Sequence, residues 1–136
     1  MTCFWDGILN LLTPCEINSA FGLQLKRKPS VKMFIEYLQE HNVPTLHVKH
    51  MGQRLSANQI AENQEHIKSI DSSKAGRGYD CSGADPVLLL IAELFDCNIT
   101  HIYNRVSIYY RKHRAKKTLY FESNTHHFWS LHRTEY

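Results

Sequence analysis

Two groups capable of nucleophilic chemistry stand at opposite ends of this 136-residue chain. Cys3 lies in Thr2-Cys3-Phe4-Trp5, and a histidine pair lies in His126-His127-Phe128-Trp129. A thiolate attacks carbonyl carbon readily, and an imidazole can take the thiol proton and hand it to a leaving group. A Cys–His pair of this kind must meet in space, not in sequence, and its chemistry is acyl transfer. Each residue also has a plainer reading. Cys3 can be a small apolar side chain near the terminus, and the histidines can be ordinary strand residues, one buried and one exposed.

Other reactive side chains are less suggestive. Cys15, Cys81 and Cys97 show no C-x-x-C spacing and read as reduced packing residues. His47-Val48-Lys49-His50 has no cysteine or carboxylate at zinc spacing, so no metal site is expected. Trp5 and Trp129 flank the Cys–His pair in sequence. They read as walls of a narrow substrate slot or, more commonly for such residues, as core fillers. A basic run follows Tyr109-Tyr110, with Arg111, Lys112, Arg114, Lys116 and Lys117 around His113. Cations beside aromatics suit a nucleic-acid backbone. A solvated turn that blunts a sheet edge accounts for the same residues.

Composition bounds the remaining choices. With 43% hydrophobic and 21% charged residues, the chain has the make-up of a globular domain, and its length suits a single one over 1–136. A net charge of +3 is too small by itself to imply nucleic acid. No apolar run approaches the roughly 20 residues of a membrane span, and the amino terminus lacks the pattern of a signal peptide. A soluble, cytoplasmic protein is the expectation.

The elements that must position Cys3 and His127 can be read from spacing and caps. Phe4, Ile8, Leu11 and Leu12 repeat at helical spacing, predicting a helix over 3–12 with Pro14 just beyond it. Residues 16–28 read as irregular. Ser30 caps a second helix to about Asn42, with Val31, Phe34, Ile35 and Leu38 on one face. Residues 45–55 hold a short strand and a turn at Gly52. Ser56-Ala57-Asn58-Gln59 reads as a capping box for a surface helix to about Ile70. After a polar loop over 72–84, Asp85-Pro86 opens an almost wholly apolar, central buried helix through Phe95. Strands follow at 99–103, 106–110, 118–121 and 128–132, with turns that suggest an antiparallel meander.

This order resembles the ovarian-tumour (OTU) class of cysteine proteases, which are deubiquitinases. Three segments carry the resemblance: Cys3-Phe4-Trp5, the stretch from Ala84 to Ile102 containing Ala92-Glu93-Leu94-Phe95-Asp96-Cys97-Asn98-Ile99, and Ser123-Asn124-Thr125-His126-His127-Phe128. They span roughly a third of the chain, and the compact length is similar to that of viral members. The resemblance implies a papain-like, OTU-like α+β fold, with amino-terminal helices packed on a small, mainly antiparallel carboxy-terminal sheet. It implies Cys3 as nucleophile, at the positive end of a helix that favours an anion. His127 would be the base, and the reaction would be cleavage after the carboxy terminus of ubiquitin or a ubiquitin-like partner through a thioester. No metal or organic cofactor is called for.

Two positions depart from the class. Its histidine is usually oriented by Asp or Asn two residues on, on the same face of a strand; here that residue is Trp129, and Asn124 is the preferred substitute, with Asp6 the other option. The class also carries Asp-Gly before the cysteine, where a backbone N–H serves the oxyanion. Only Met1 and Thr2 precede Cys3, and a missing donor would cost about 3 kcal/mol of transition-state stabilisation. The departures support a second reading, an inactive OTU-like fold serving as a structural or binding part of a larger, viral-type assembly. The third reading is a nucleic-acid-binding domain using the basic hairpin.

Overall fold

The structure is a computed structural model that describes residues 3–136. Met1 and Thr2 lie outside the described residues, and so does the expectation about an upstream oxyanion loop. Helix α1 (Cys3–Leu11) buries Phe4, Ile8 and Leu11, the stripe read from the sequence. The next stretch differs from expectation: part of 16–28 belongs to a second helix, α2 (Pro14–Phe21). Thr13 caps it, with Thr13 and Glu16 exchanging side-chain and backbone bonds, and Gly22 ends it at φ 67, a left-handed conformation that glycine adopts freely. Pro14 therefore opens α2 rather than closing α1, as its missing N–H allows.

Three further helices follow the expected caps. Ser30 caps α3 (Val31–Glu40), which buries Phe34, Ile35 and Leu38. Ser56 and Gln59 cap each other at α4 (Ala57–Ser69), of which Ile67 alone is buried, so α4 lies on the surface. A 3-10 helix at Ser72–Arg77 interrupts the loop before α5 (Pro86–Phe95). Residues Val87 to Ala92 of α5 are essentially inaccessible, as an all-apolar helix requires.

The sheet has six strands: β1 (Val48–His50), β2 (Gln53–Arg54), β3 (Cys97–Tyr103), β4 (Val106–Lys112), β5 (Lys117–Ser123) and β6 (Phe128–Glu135). Their order is β2-β1-β4-β3-β5-β6. The fold is α+β, and the sheet is mixed, not the expected meander: β3 and β5 run parallel. The reason is competition for an edge. A meander would place β5 on the outer edge of β4, but β1 occupies that edge, pairing Val48 with Lys112 and His50 with Tyr110. The chain passes the start of β3 instead, where Lys116 N–H donates to the Asp96 carbonyl at 3.3 Å, and pairs with the free edge of β3.

One hydrophobic cluster runs from Phe4 to Phe128, so α1 and β6 share a core. A polar clamp joins the same layers. Glu16 of α2 receives Arg133 of β6 at 2.7 and 2.9 Å and Lys117 of β5 at 2.8 Å. Burial alone would raise the Glu16 carboxyl, but the bonds from Arg133 and Lys117 hold it well below the usual carboxylate range. A depressed folded value means stability that is present above the ordinary value of 4.5 and lost as pH falls below it. Glu16→Gln should lower the unfolding free energy by about 1.5–3 kcal/mol at pH 7. Urea titrations at pH 7 and pH 3 check this: the variant should lose less stability on acidification than the native chain.

No helix among the described residues is long and apolar enough to cross a membrane.

Candidate active site

Helix α1 packs along the first half of β6. Gly7 allows the approach, since a Cβ there would sit 3.0 Å from the Phe128 ring and 3.5 Å from the Ser130 nitrogen. Asn10 Nδ2 donates to Ser130 Oγ at 2.7 Å, and the Phe4 and Phe128 rings meet at 4.8 Å. Cys3 precedes Phe4 in the chain and His127 precedes Phe128. The ring contact thus sets the start of α1 against the start of β6.

Residues 124–127 form a tight turn between β5 and β6. Asn124 Oδ1 accepts from the backbone N–H of His126 and of His127, both at 2.8 Å, and Asn124 N–H donates to the His127 carbonyl at 2.9 Å. Asn124 therefore fixes the backbone of the histidine pair. Among the described residues, neither imidazole receives a side-chain hydrogen bond from it, so the expected ring-orienting role takes the form of a turn-holding one. Cys3, Asn124, His126 and His127 all line a cleft of about 380 Å³. Cys3 is half-buried and both histidines are exposed.

A third wall comes from residues 77–81. Tyr79 anchors it, with its ring 4.5 Å from Phe4 and 5.4 Å from Trp5. The Tyr79 hydroxyl donates to the Asp85 carboxylate at 3.0 Å. Asp85, fully buried, also accepts from Ser82 N–H at 2.9 Å and from Val87 N–H at 2.8 Å, while its own N–H donates to the Tyr110 hydroxyl at 2.9 Å. One carboxylate thus caps α5 and ties the cleft wall to it.

Beneath the cleft lies a second thiol–imidazole contact that the sequence reading passed over. His101 Nδ1 is 4.0 Å from Cys81 Sγ, and its Nε2 is 2.6 Å from Ser123 Oγ. Cys81 and Ser123 line the cleft, whereas His101 is buried below them. Burial, reinforced by the nearby Asp85 charge, pushes the Cys81 thiol up, and burial takes His101 down to about 4. At neutral pH this is a neutral thiol beside a neutral ring, not an activated pair. The depressed His101 value has a consequence for stability. Between pH 6.5 and about 4 the unfolded chain binds a proton that the folded chain does not, so stability falls as pH drops through that window. The loss should reach about 3 kcal/mol, and His101→Gln should abolish it in urea titrations run from pH 7.5 to 4.

Other expected site residues fall elsewhere. Trp5 is 1% exposed and packs edge-on against Phe4 at 5.0 Å, so it fills the core and does not wall the cleft. Trp129, opposite Glu122 on the β5–β6 ladder, is exposed and outside the cleft lining. The basic run is divided. Lys117 is bound to Glu16, and Lys112 is bound to Glu93 at 3.4 Å and to Asp96. Arg111 and Arg114 line a separate groove that does not include Lys116. His101 was findable in principle, because Cys97, Ile99 and His101 alternate on the inward face of β3. Tyr79 and Cys81 carried no local signal; the Phe4 and Trp5 rings, far away in sequence, hold Tyr79 in place.

Comparison with protein families, curated proteins and solved structures finds no match.

Proposed function

We propose that this chain is an OTU-like cysteine protease that hydrolyses the isopeptide or peptide bond after the carboxy terminus of ubiquitin or a ubiquitin-like protein. The supporting observation is that Cys3 and His127, more than 120 positions apart in the chain, line one cleft through the contact of α1 with β6. Cys3 Sγ attacks the scissile carbonyl while His127 takes the thiol proton. His127 then gives that proton to the departing amine, leaving a thioester that water hydrolyses. The first-turn amides of a helix lack intrahelical acceptors and stabilise an anion placed there, which favours Cys3 over Cys81 as the nucleophile. Asn124 holds the turn that presents His127. The direct test is release of a fluorophore from a ubiquitin carboxy-terminal amide. Saturable turnover supports the reading, and no turnover at micromolar enzyme rejects it.

A second reading is an inactive OTU-like scaffold in a larger assembly. The engagement of Asn124 Oδ1 by two backbone amides favours it, since that leaves the imidazole without a carboxamide partner. Under this reading Cys3→Ser leaves every binding property intact and no ubiquitin amide is cleaved.

A further inference from the structure

The sheet edge farthest from β6 carries a groove of about 920 Å³ between β1, β2 and the end of β4. Lys49, Arg54, Arg111, Lys112 and Arg114 line it, together with His47. These five are nearly a third of the chain's sixteen Lys and Arg residues, and no carboxylate is among the lining side chains. The register is the telling feature. Lys49 pairs with Arg54 on one side and with Arg111 on the other, so three cations stand in a row across β2, β1 and β4. Directly paired residues share a face, and like charges there repel. Among the described residues, Lys49, Arg54 and Arg111 make no ion pair; at the groove's end Lys112 is paired with Glu93 and Asp96, and His47 Nδ1 lies 3.0 Å from Glu93. A row of this kind opposes folding and favours an external polyanion.

The neighbouring surface indicates which polyanion. The Arg111 guanidinium lies 4.6 Å over the Tyr109 ring, and Tyr109 shares the face of Arg111, two residues along β4. Tyr109 is 39% exposed, Met51 50% and Leu46 60%. An aromatic–guanidinium platform with exposed apolar flanks suits unpaired bases, which stack on any π surface. A ring-free acidic chain such as polyglutamate has nothing to stack on it. We propose that this groove binds single-stranded nucleic acid, with the phosphates on Arg54, Lys49 and Arg111 and a base on the Tyr109–Arg111 platform. The site is separate from the thiol cleft, because the two lie toward opposite edges of the sheet.

Fluorescence anisotropy with a labelled 20-nucleotide oligouridine, between 50 and 200 mM NaCl, tests the proposal. The native chain should bind with a log–log salt slope of roughly −2, as expected for three phosphate contacts. Replacing Lys49, Arg54 and Arg111 together by serine should weaken binding at least about tenfold at low salt and flatten the slope toward zero. Tyr109→Ala should weaken binding about fivefold with the slope unchanged. Lys49→Glu, a single exposed change that relieves repulsion, should weaken binding without lowering the melting temperature. No binding by the native chain, unchanged binding by Lys49→Glu, or equal affinity for polyglutamate would each overturn it.

Discussion

Cys3→Ala is expected to lower kcat/KM for a ubiquitin carboxy-terminal amide by about 10⁴-fold or more, the scale seen when a nucleophile is removed from a unit that acts together. The melting temperature should be nearly unchanged, because Cys3 is half-buried at the start of α1 and its side chain is small. Cys81→Ala makes the informative contrast. Cys81 lines the same cleft and touches an imidazole at 4.0 Å, so geometry alone nominates it as well. Its surroundings argue otherwise. Burial and the charge of Asp85 keep its sulfur protonated, and buried His101 is a weak base. Cys81→Ala should therefore retain activity within about tenfold. If the two variants exchanged these outcomes, the nucleophile would be Cys81 and the role assigned to α1 would fail.

Asp85→Ala should produce the largest loss of stability from a single change, about 3–5 kcal/mol in urea unfolding. Several effects act together. The cap of α5 is lost, which costs about 1–2 kcal/mol, and buried donors are left without an acceptor at roughly 1–3 kcal/mol each before relaxation. The donors are Val87 N–H, Ser82 N–H and the Tyr79 hydroxyl, all within 3.0 Å of the carboxylate. Burial pushes the Asp85 carboxyl up, against the pull of these bonds. Asp85→Asn should recover part of the loss, since a carboxamide oxygen still accepts from Val87 N–H while its amino group faces donors. Because Tyr79 forms the cleft wall, residual folded Asp85→Ala should also turn over substrate more slowly. A loss below 1 kcal/mol would show that the cap and the wall are not coupled through this carboxylate.

Much of this architecture was legible in local sequence, and particular residues show where legibility ended. Ser30, Ser56 and Asp85 announced three helices, because a cap satisfies its own neighbours and needs nothing distant. Thr13, Pro14 and Glu16 announce α2 just as clearly, but a proline fits equally just beyond the end of one helix and at the start of the next. The strands were found approximately, but their pairing was not, because the place of β5 depends on β1 having taken the edge of β4. Trp5 took the commoner of its two readings: its position beside Cys3 in sequence says nothing about its direction, and α1 turns it inward as a core filler toward Phe34, 6.4 Å away. The site followed the same rule. Cys3 and His127 stood out by type and flanking residues, whereas Tyr79, Cys81 and His101 depend on contacts such as Tyr79 with Phe4 and Cys81 with His101 that no local pattern encodes.

A ubiquitin suicide probe with a thiol-reactive carboxy terminus, followed by intact mass and peptide mapping, tests the account most directly. The expected product is one covalent adduct per chain, mapped to Cys3 and absent when His127 is replaced by alanine. An adduct on Cys81 or Cys15, or no adduct while the chain remains folded, would contradict it.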